Sequence, residues 1–208
     1  AALIAGGREP SFSAKSEEWN GTAWAEGNDL NAVKTIEGAM VGSQTASVAF
    51  GGNTPPRTAN VEEYNGTSWS EVNNLPAATS GSSAFGTQTS AVNAGGSTGS
   101  AVTTALIYDG TNFSATGSLG TARSGAGQAG TNQNSGVIFG GSPYTSITEE
   151  FNVSTSTVTG AAWASGGNTN DRTGGRINFG TQTAAMSGGG LYVPNPGYTN
   201  ESTTEEYN

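Results

Sequence analysis

The segment Ala46-Ser47-Val48-Ala49-Phe50-Gly51-Gly52 is a short apolar run that ends in two glycines, and Glu62-Glu63-Tyr64-Asn65-Gly66-Thr67-Ser68-Trp69 follows it. Short apolar runs bounded by turn residues are typical of strands. Asn-Gly favours a two-residue type I′ hairpin turn, because both central residues of that turn need positive φ. This stretch therefore predicts antiparallel strands joined by a tight turn.

The Gly-Gly pair recurs along the chain at nearly constant spacing. The first glycines of successive pairs are 45, 44, 45 and 48 residues apart. The pairs are Gly6-Gly7, Gly51-Gly52, Gly95-Gly96, Gly140-Gly141 and Gly188-Gly189. Self-similarity at a period of about 20–50 residues indicates a repeat architecture. The spacing predicts one domain over 1–208 made of five units, 1–34, 35–78, 79–121, 122–168 and 169–208, of which the first and last are incomplete.

Aromatic residues recur with the same period. One precedes the Asn-Gly or Asp-Gly turn and a second follows it five residues later, and we expect both to pack between neighbouring units. They are Trp19 with Trp24, Tyr64 with Trp69, and Tyr108 with Phe113, while Phe151 and Tyr207 hold the first position in the last two units.

Each unit reads as four short strands. In the third unit they are predicted at about 79–86, 89–94, 101–108 and 111–116. The tight turns after the first and third strands fall at one end of each sheet. The connections after Gly-Gly lie at the other end and vary in length, at 8–14, 53–59, 97–102, 142–147 and 191–202. Variable loops on a rigid scaffold are typical of a functional face, and neutral drift is the alternative.

Small residues mark the start of the first strand of several units. Segments 80–84 and 124–127 contain only Ser, Gly and Ala, as expected where several strands crowd a central axis. The pattern predicts an all-β protein, a β-propeller with about five four-stranded antiparallel blades, and leaves a larger ring as an alternative. A β-solenoid also uses small residues, but its rungs are usually shorter and lack a repeated hairpin turn.

Composition excludes several classes of function. The net charge of −9 comes from 16 acidic and 7 basic residues, and the basic residues are dispersed. Nucleic acid is therefore not an expected partner, because phosphate neutralisation needs a Lys/Arg surface. The chain has no apolar run of about 20 residues, so membrane insertion is not expected.

Cofactor and metal chemistry is also not expected. Cys and His are both absent, which removes disulfides, thiol nucleophiles and most zinc, copper and haem sites. The Glu pairs at 17–18, 62–63, 149–150 and 205–206 suggest a calcium site at first sight. However, adjacent strand residues point to opposite faces, so a pair cannot chelate an ion as a unit.

The candidate ligand-binding residues lie in the variable loops, and no catalytic residue is predicted. Three tyrosines lie beside or close to prolines, where exposed rings can stack on sugars. The candidates are Arg8, Arg57, Tyr144, Tyr192 and Tyr198.

The units resemble the kelch repeat, in which a Gly-Gly pair closes the second strand and Tyr and Trp lie on the third and fourth. Gly51-Gly52, Tyr64 and Trp69 match those positions. The resemblance implies a propeller of four-stranded blades that binds partners through loops at one end. More narrowly, the units look like the kelch-like arrays, similar to the central domain of galactose oxidase, in structural proteins of marine bacteriophages.

This resemblance implies a non-catalytic virion protein, such as a tail fibre, an appendage or a capsid decoration. Its expected partners are other virion proteins, or a glycan or protein of the host surface, and its expected location is the virion surface or the extracellular space. A secreted lectin-like module is the alternative. A propeller enzyme ranks third, because galactose oxidase chemistry needs copper, His ligands and a Cys-linked Tyr, and sialidase chemistry needs a cluster of Arg.

Overall fold

The structure, a computed structural model, describes residues 1–8, 10–37, 39–153, 162–165, 173–174, 177–181, 184–188, 191–192, 199–200 and 204–207. Within these residues the chain forms strands and no helix. None of the described segments is therefore a helix that could cross a membrane. The strands are β1 (Ala2–Arg8), β2 (Phe12–Trp19), β3 (Trp24–Glu26), β4 (Met40–Ser43), β5 (Ala46–Asn53), β6 (Arg57–Tyr64), β7 (Trp69–Glu71), β8 (Ser83–Thr87), β9 (Ser90–Ala94), β10 (Ala105–Tyr108), β11 (Phe113–Ala115), β12 (Gly127–Asn132), β13 (Ser135–Phe139), β14 (Thr148–Asn152), β15 (Ala162–Ser165), β16 (Thr173–Gly174), β17 (Ile177–Thr181), β18 (Ala184–Gly188), β19 (Leu191–Tyr192), β20 (Thr199–Asn200) and β21 (Thr204–Tyr207).

The strands form small antiparallel sheets in which chain neighbours pair. Three sheets have four strands, in the orders β4-β5-β6-β7, β11-β10-β9-β8 and β12-β13-β14-β15. Three others have three strands, in the orders β1-β2-β3, β17-β18-β21 and β16-β19-β20. The prediction of an all-β protein built from small antiparallel sheets is confirmed.

The sheets are arranged around a common axis. The first strands of consecutive sheets, β4, β8, β12 and β17, lie side by side. Just before β8 and β12, the Gly125 N–H donates a 2.7 Å hydrogen bond to the Gly81 carbonyl and so links two of these strands directly. Because the first strands share the axis and the later strands lie further out, the arrangement is propeller-like.

Aromatic side chains fill the spaces between neighbouring sheets. The buried ring of Phe50 on β5 packs edge to face against Tyr108 on β10, with 5.5 Å between ring centroids, and also contacts Phe113 on β11. The ring centroids of Phe85 on β8 and Phe151 on β14 lie 5.8 Å apart, with the two rings tilted against each other. Burial of these rings between the sheets contributes apolar stabilisation to the fold.

The second glycine of each of the first three pairs connects its sheet to the next one. The Gly52 N–H donates to the Thr79 carbonyl at 2.9 Å, and Gly7 and Gly96 donate to the carbonyls of Lys34 and Arg123. A side chain on Gly51 would collide with the Thr79 backbone, and its φ of 60° also favours glycine. Positive φ is shared by Gly6, Gly7, Gly51, Gly52, Gly95, Gly96, Gly140 and Gly141, whereas Gly188 ends β18 and Gly189 lies outside the described residues.

The strands of the third unit lie close to their predicted positions. The main differences are that the first strand begins at Ser83 instead of 79 and the third begins at Ala105 instead of 101. Ser80 instead forms an isolated bridge with Ser97, with hydrogen bonds of 3.1 and 2.8 Å between the two backbones. This bridge extends the pairing of β8 with β9, while the Thr79 carbonyl accepts a hydrogen bond from Gly52 of the preceding sheet. In the last unit, the long connection 191–202 contributes β19 and β20.

Candidate functional site

Both kinds of tight turn lie at one end of the sheets, as predicted. Gly110, in the turn between β10 and β11, lies against Thr89 in the turn between β8 and β9, and Gly66 lies against Thr45 in the same way. This end is called the tight-turn end below, and the opposite end, with the connections after Gly-Gly, is called the loop end.

Asn and Asp side chains stabilise the outer turns at the tight-turn end. The Asn65 Oδ1 atom accepts hydrogen bonds from the N–H groups of Thr67 and Ser68, both at 2.9 Å. Asp109 has the equivalent place in the next sheet, where the N–H groups of Asn112 and then Thr111 lower the pKa of its carboxyl. These side chains therefore close the turns.

Glutamine side chains at the tight-turn end also reach from one sheet to the previous one. The Gln88 amide donates to the carbonyls of Ser47 and Tyr64, at 3.1 and 2.9 Å. Gln44 contacts the first sheet in the same way, donating at 3.1 Å to a carboxylate oxygen of Glu18. Gln44 and Gln88, which belong to two Gly-x-Gln-Thr turns, thus each hold two sheets together, a role that was not predicted from the sequence.

Acidic side chains on the third strands take part in buried ion pairs. The Lys34 ammonium lies 2.9 Å from the Glu62 carboxylate, and both side chains are fully buried. The two groups form an ion pair without hydrogen-bond geometry. The hydrogen bonds to Glu62 come from the Asn31 N–H and side-chain amide, at 2.6 and 3.0 Å. Two sheets further on, Glu149 pairs with buried Arg123 and accepts a 2.6 Å hydrogen bond from the Gly120 N–H.

The junction between the second and third sheets lies between these two ion pairs in the chain order. At this junction the cation, the carboxylate and the N–H donor are all replaced. Measured from the buried leucines Leu30, Leu75 and Leu119, Thr79 stands where the other junctions have Lys34 and Arg123. Leu106 stands at the position of Glu62 and Glu149, and Pro76, which has no N–H, stands at the position of Asn31 and Gly120. The carboxylate is therefore present where a buried cation and a free N–H need it, and absent where they are absent.

In the pairs Glu17-Glu18 and Glu62-Glu63, the second acidic residue faces the other way and binds a tyrosine of the next sheet. The Tyr64 hydroxyl donates to the Glu18 carboxylate, and the Tyr108 hydroxyl donates to Glu63 at 2.9 Å. At the following junction Ile107 replaces the carboxylate, and the next aromatic residue is Phe151, which has no hydroxyl. Ile107 packs against the buried cluster that contains Phe151.

Alkaline pH should weaken the tyrosine junctions. Burial, followed by the bond to Glu18, raises the pKa of Tyr64 from its ordinary value of 10 to about 12, and burial with Glu63 raises the pKa of Tyr108. A raised pKa in the folded state means that the stabilisation is complete below the unfolded pKa and is lost as the pH rises through the folded one. The free energy of unfolding should therefore fall between about pH 10 and about pH 12.

Urea titrations across this pH range check the expectation. The double variant Tyr64→Phe/Tyr108→Phe should show a much smaller fall than wild type. The control variant Trp24→Phe changes an exposed aromatic ring without a titrating group and should keep the wild-type slope. An equal fall in all three proteins would contradict the assignment.

The ligand candidates from the sequence lie apart from these junctions. Arg57, exposed at the start of β6, donates from Nε to the Ser80 hydroxyl at 3.1 Å. The Arg8 guanidinium lies 5.3 Å from the centroid of the Phe12 ring, so the two arginines have different neighbours. Tyr144 is half-buried in its loop, the backbone of Tyr192 belongs to β19, and Tyr198 lies outside the described residues.

Glu37 is an additional charged group at the loop end. Its φ is 54°, and it is the only non-glycine residue with positive φ among those that the structure describes. One carboxylate oxygen accepts a 3.0 Å hydrogen bond from the Thr35 hydroxyl, and the other lies beside Gly81. Arg57 and Glu37 therefore lie near the same Ser80-Gly81 segment, beside the axis. The extra residue between Lys34 and Gly42 was the only sequence signal for this arrangement.

A cavity of about 570 Å³ lies at the tight-turn end of the axis. Its walls are β4, β8 and β12 with the turn that follows β8, and Gly180 of β17 completes the lining. Hydroxyl and amide side chains line it together with apolar ones, among them Ser43, Thr87, Gln88, Thr89, Gln128 and Thr131 with Met40 and Phe85. Within the described part of the chain, no three Asp or Glu residues are placed to share a metal ion.

Small antiparallel sheets around an axis, with their first strands side by side, define an all-β propeller-like protein. The solved structure of YjhT is similar to this chain with a TM-score of 0.73 and 8% sequence identity, over 98% of this chain and 77% of that chain. At this identity the similarity establishes the fold alone. No family model and no curated protein matches the chain.

Proposed function

We propose that this protein is a non-catalytic attachment propeller made of kelch-like repeats, displayed on a virion, such as that of a marine phage. In this proposal the loop end binds other virion proteins or a protein or glycan of the host surface. One observation carries the proposal. Acidic and tyrosine side chains are used in contacts between the sheets, whereas the loops that differ between units leave charged groups exposed.

The acidic and tyrosine side chains that bind across the junctions between sheets support a non-catalytic role. A general acid or base needs access to its substrate and a pKa near the working pH. Glu62 and Glu149 are instead buried against cations. Tyr64 and Tyr108 donate to carboxylates and have raised pKa values, so both hydroxyls stay protonated at neutral pH.

The loop end suits recognition of a partner. Loops held by a rigid scaffold carry binding residues in many folds. Here the scaffold places exposed Arg57 and exposed Glu37 near one short segment, so a partner with groups of both charges can be oriented across it. Tyr144 adds an aromatic group in another loop at the same end.

Mass spectrometry of purified virus particles from the source culture tests the virion role. The protein should be present at a constant ratio to the major capsid protein. Its absence from the particles, together with its presence free in the medium, would replace the virion role with that of a secreted lectin-like module.

Binding of the fluorescently labelled full chain to particles stripped of it, and to host cells, tests the loop end. Arg57→Ala should weaken binding about tenfold, as expected for loss of a partly desolvated charged contact. Lys15→Ala is the matched control, because Lys15 is an exposed cation paired with Glu26 on β2 and β3. Equal losses in both variants would indicate unspecific charge attraction and overturn the assignment to the loop end.

A further inference from the structure

The cavity at the tight-turn end lies apart from the loop end that the proposed function uses. It is formed where the first strands of consecutive sheets meet at the axis. Its volume of about 570 Å³ falls within the range of about 300–1,000 Å³ that is usual for small-molecule sites. The cavity is therefore large enough for a ligand and separate from the proposed attachment surface.

The lining of the cavity is polar but uncharged. No Asp, Glu, Lys or Arg occurs among the described residues that line it, although the chain carries a net charge of −9. A charged ligand would lose hydration here without gaining a counter-charge, which is unfavourable. The lining therefore favours a neutral ligand.

Hydroxyl groups at the rim are available to such a ligand. Three exposed threonines in the lining make no side-chain hydrogen bond to another residue in the described ranges. They are Thr87, Thr89 and Thr131. The rim itself is held in place, because Gln88 donates to two carbonyls of the previous sheet. A fixed rim with free hydroxyls is a preorganised set of hydrogen-bond partners.

We propose that this cavity binds a neutral saccharide. The threonine hydroxyls can exchange hydrogen bonds with sugar hydroxyls, while Met40 and Val41 offer an apolar surface to the face of a sugar ring. The propeller then has two binding ends, with a partner protein or surface at the loop end and a neutral sugar at the tight-turn end.

An array of neutral, sialylated and sulfated oligosaccharides, followed by titration of the best binder, tests the proposal with the full chain. Neutral glycans should bind, with little dependence on salt. Thr87→Trp should weaken binding about tenfold or more, because an indole ring fills part of the cavity. Thr131→Trp should do the same from the next sheet, so that failure of one variant to fold leaves the other.

The matched control is Thr111→Trp, an exposed threonine in an outer turn at the same end but not in the lining, and it should bind like wild type. Binding only to sialylated or sulfated glycans, no binding at all, or full binding by both cavity variants would overturn the proposal. Glycan binding lost in Arg57→Ala but kept in Thr87→Trp would overturn the cavity site and leave the attachment role standing. If the protein is absent from virus particles but its glycan binding depends on the cavity residues, the attachment role is overturned and the cavity site stands.

Discussion

Replacing Glu62 with leucine should destabilise the protein by about 3–5 kcal/mol, because removal of one partner leaves a buried charge without compensation. The Lys34 ammonium is fully buried and lies 2.9 Å from this carboxylate. The Asn31 N–H would lose its acceptor at the same time. Urea unfolding followed by tryptophan fluorescence measures the loss, since Trp69 lies in the same sheet and its carbonyl accepts from Asn31.

The next junction along the chain supplies the rescue for this variant. The triple variant Asn31→Pro/Lys34→Thr/Glu62→Leu copies Pro76, Thr79 and Leu106 and should regain most of the lost stability, because it removes both buried charges and the N–H that needs an acceptor and so leaves no uncompensated buried charge. Glu26→Leu is the control at an exposed ion pair and should cost less than about 1 kcal/mol. A triple variant no more stable than Glu62→Leu would show that the two junctions are not interchangeable.

Local chemistry explains why much of the fold was predictable from sequence. Asn65-Gly66 and Asp109-Gly110 specify tight turns within a few residues, and the recurring Gly-Gly pair sets the period. Alternation along a strand predicts that Glu62 and Glu63 point to opposite faces of the sheet. In the structure the first contacts Lys34 and the second contacts Tyr108.

The partners of those carboxylates were not predicted, because they depend on contacts between residues far apart in sequence. Glu62 binds a residue 28 positions earlier and Glu63 a residue 45 positions later. The signal was nevertheless present in the sequence: when the units are aligned, Lys34, Thr79 and Arg123 vary together with Glu62, Leu106 and Glu149. Comparison of the units with one another carries information that a single unit lacks.

The ends of the axis were less predictable than its middle. Small residues in 80–84 and 124–127 indicated crowding near the axis, but they did not indicate that a cavity remains at the tight-turn end. The place of Glu37 beside Gly81 depends on a backbone conformation that is uncommon for a residue with a side chain. Such features depend on how several sheets meet, which local sequence patterns do not encode.

Phe151→Tyr should destabilise the protein by about 1–3 kcal/mol, because the added hydroxyl would be buried without an acceptor. Phe151 is fully buried and packs against Phe85. In the two preceding junctions the equivalent tyrosine hydroxyl donates to Glu18 or Glu63, and here the acceptor position holds Ile107. Ile107→Glu alone should also destabilise the protein, since it places a carboxylate beside an apolar cluster.

The double variant Ile107→Glu/Phe151→Tyr should restore the bond between Tyr and Glu found at the other junctions. It should therefore be more stable than the sum of the two single losses predicts, by about 1–3 kcal/mol of coupling free energy in a double-mutant cycle. The same pair of changes should also steepen the fall in stability at alkaline pH, because the new hydroxyl joins Tyr64 and Tyr108 in a buried bond to a carboxylate. Strictly additive losses would mean that residues 107 and 151 do not contact each other across the junction. The pairing of Tyr with Glu at two junctions and of Phe with Ile at the third would then have another origin.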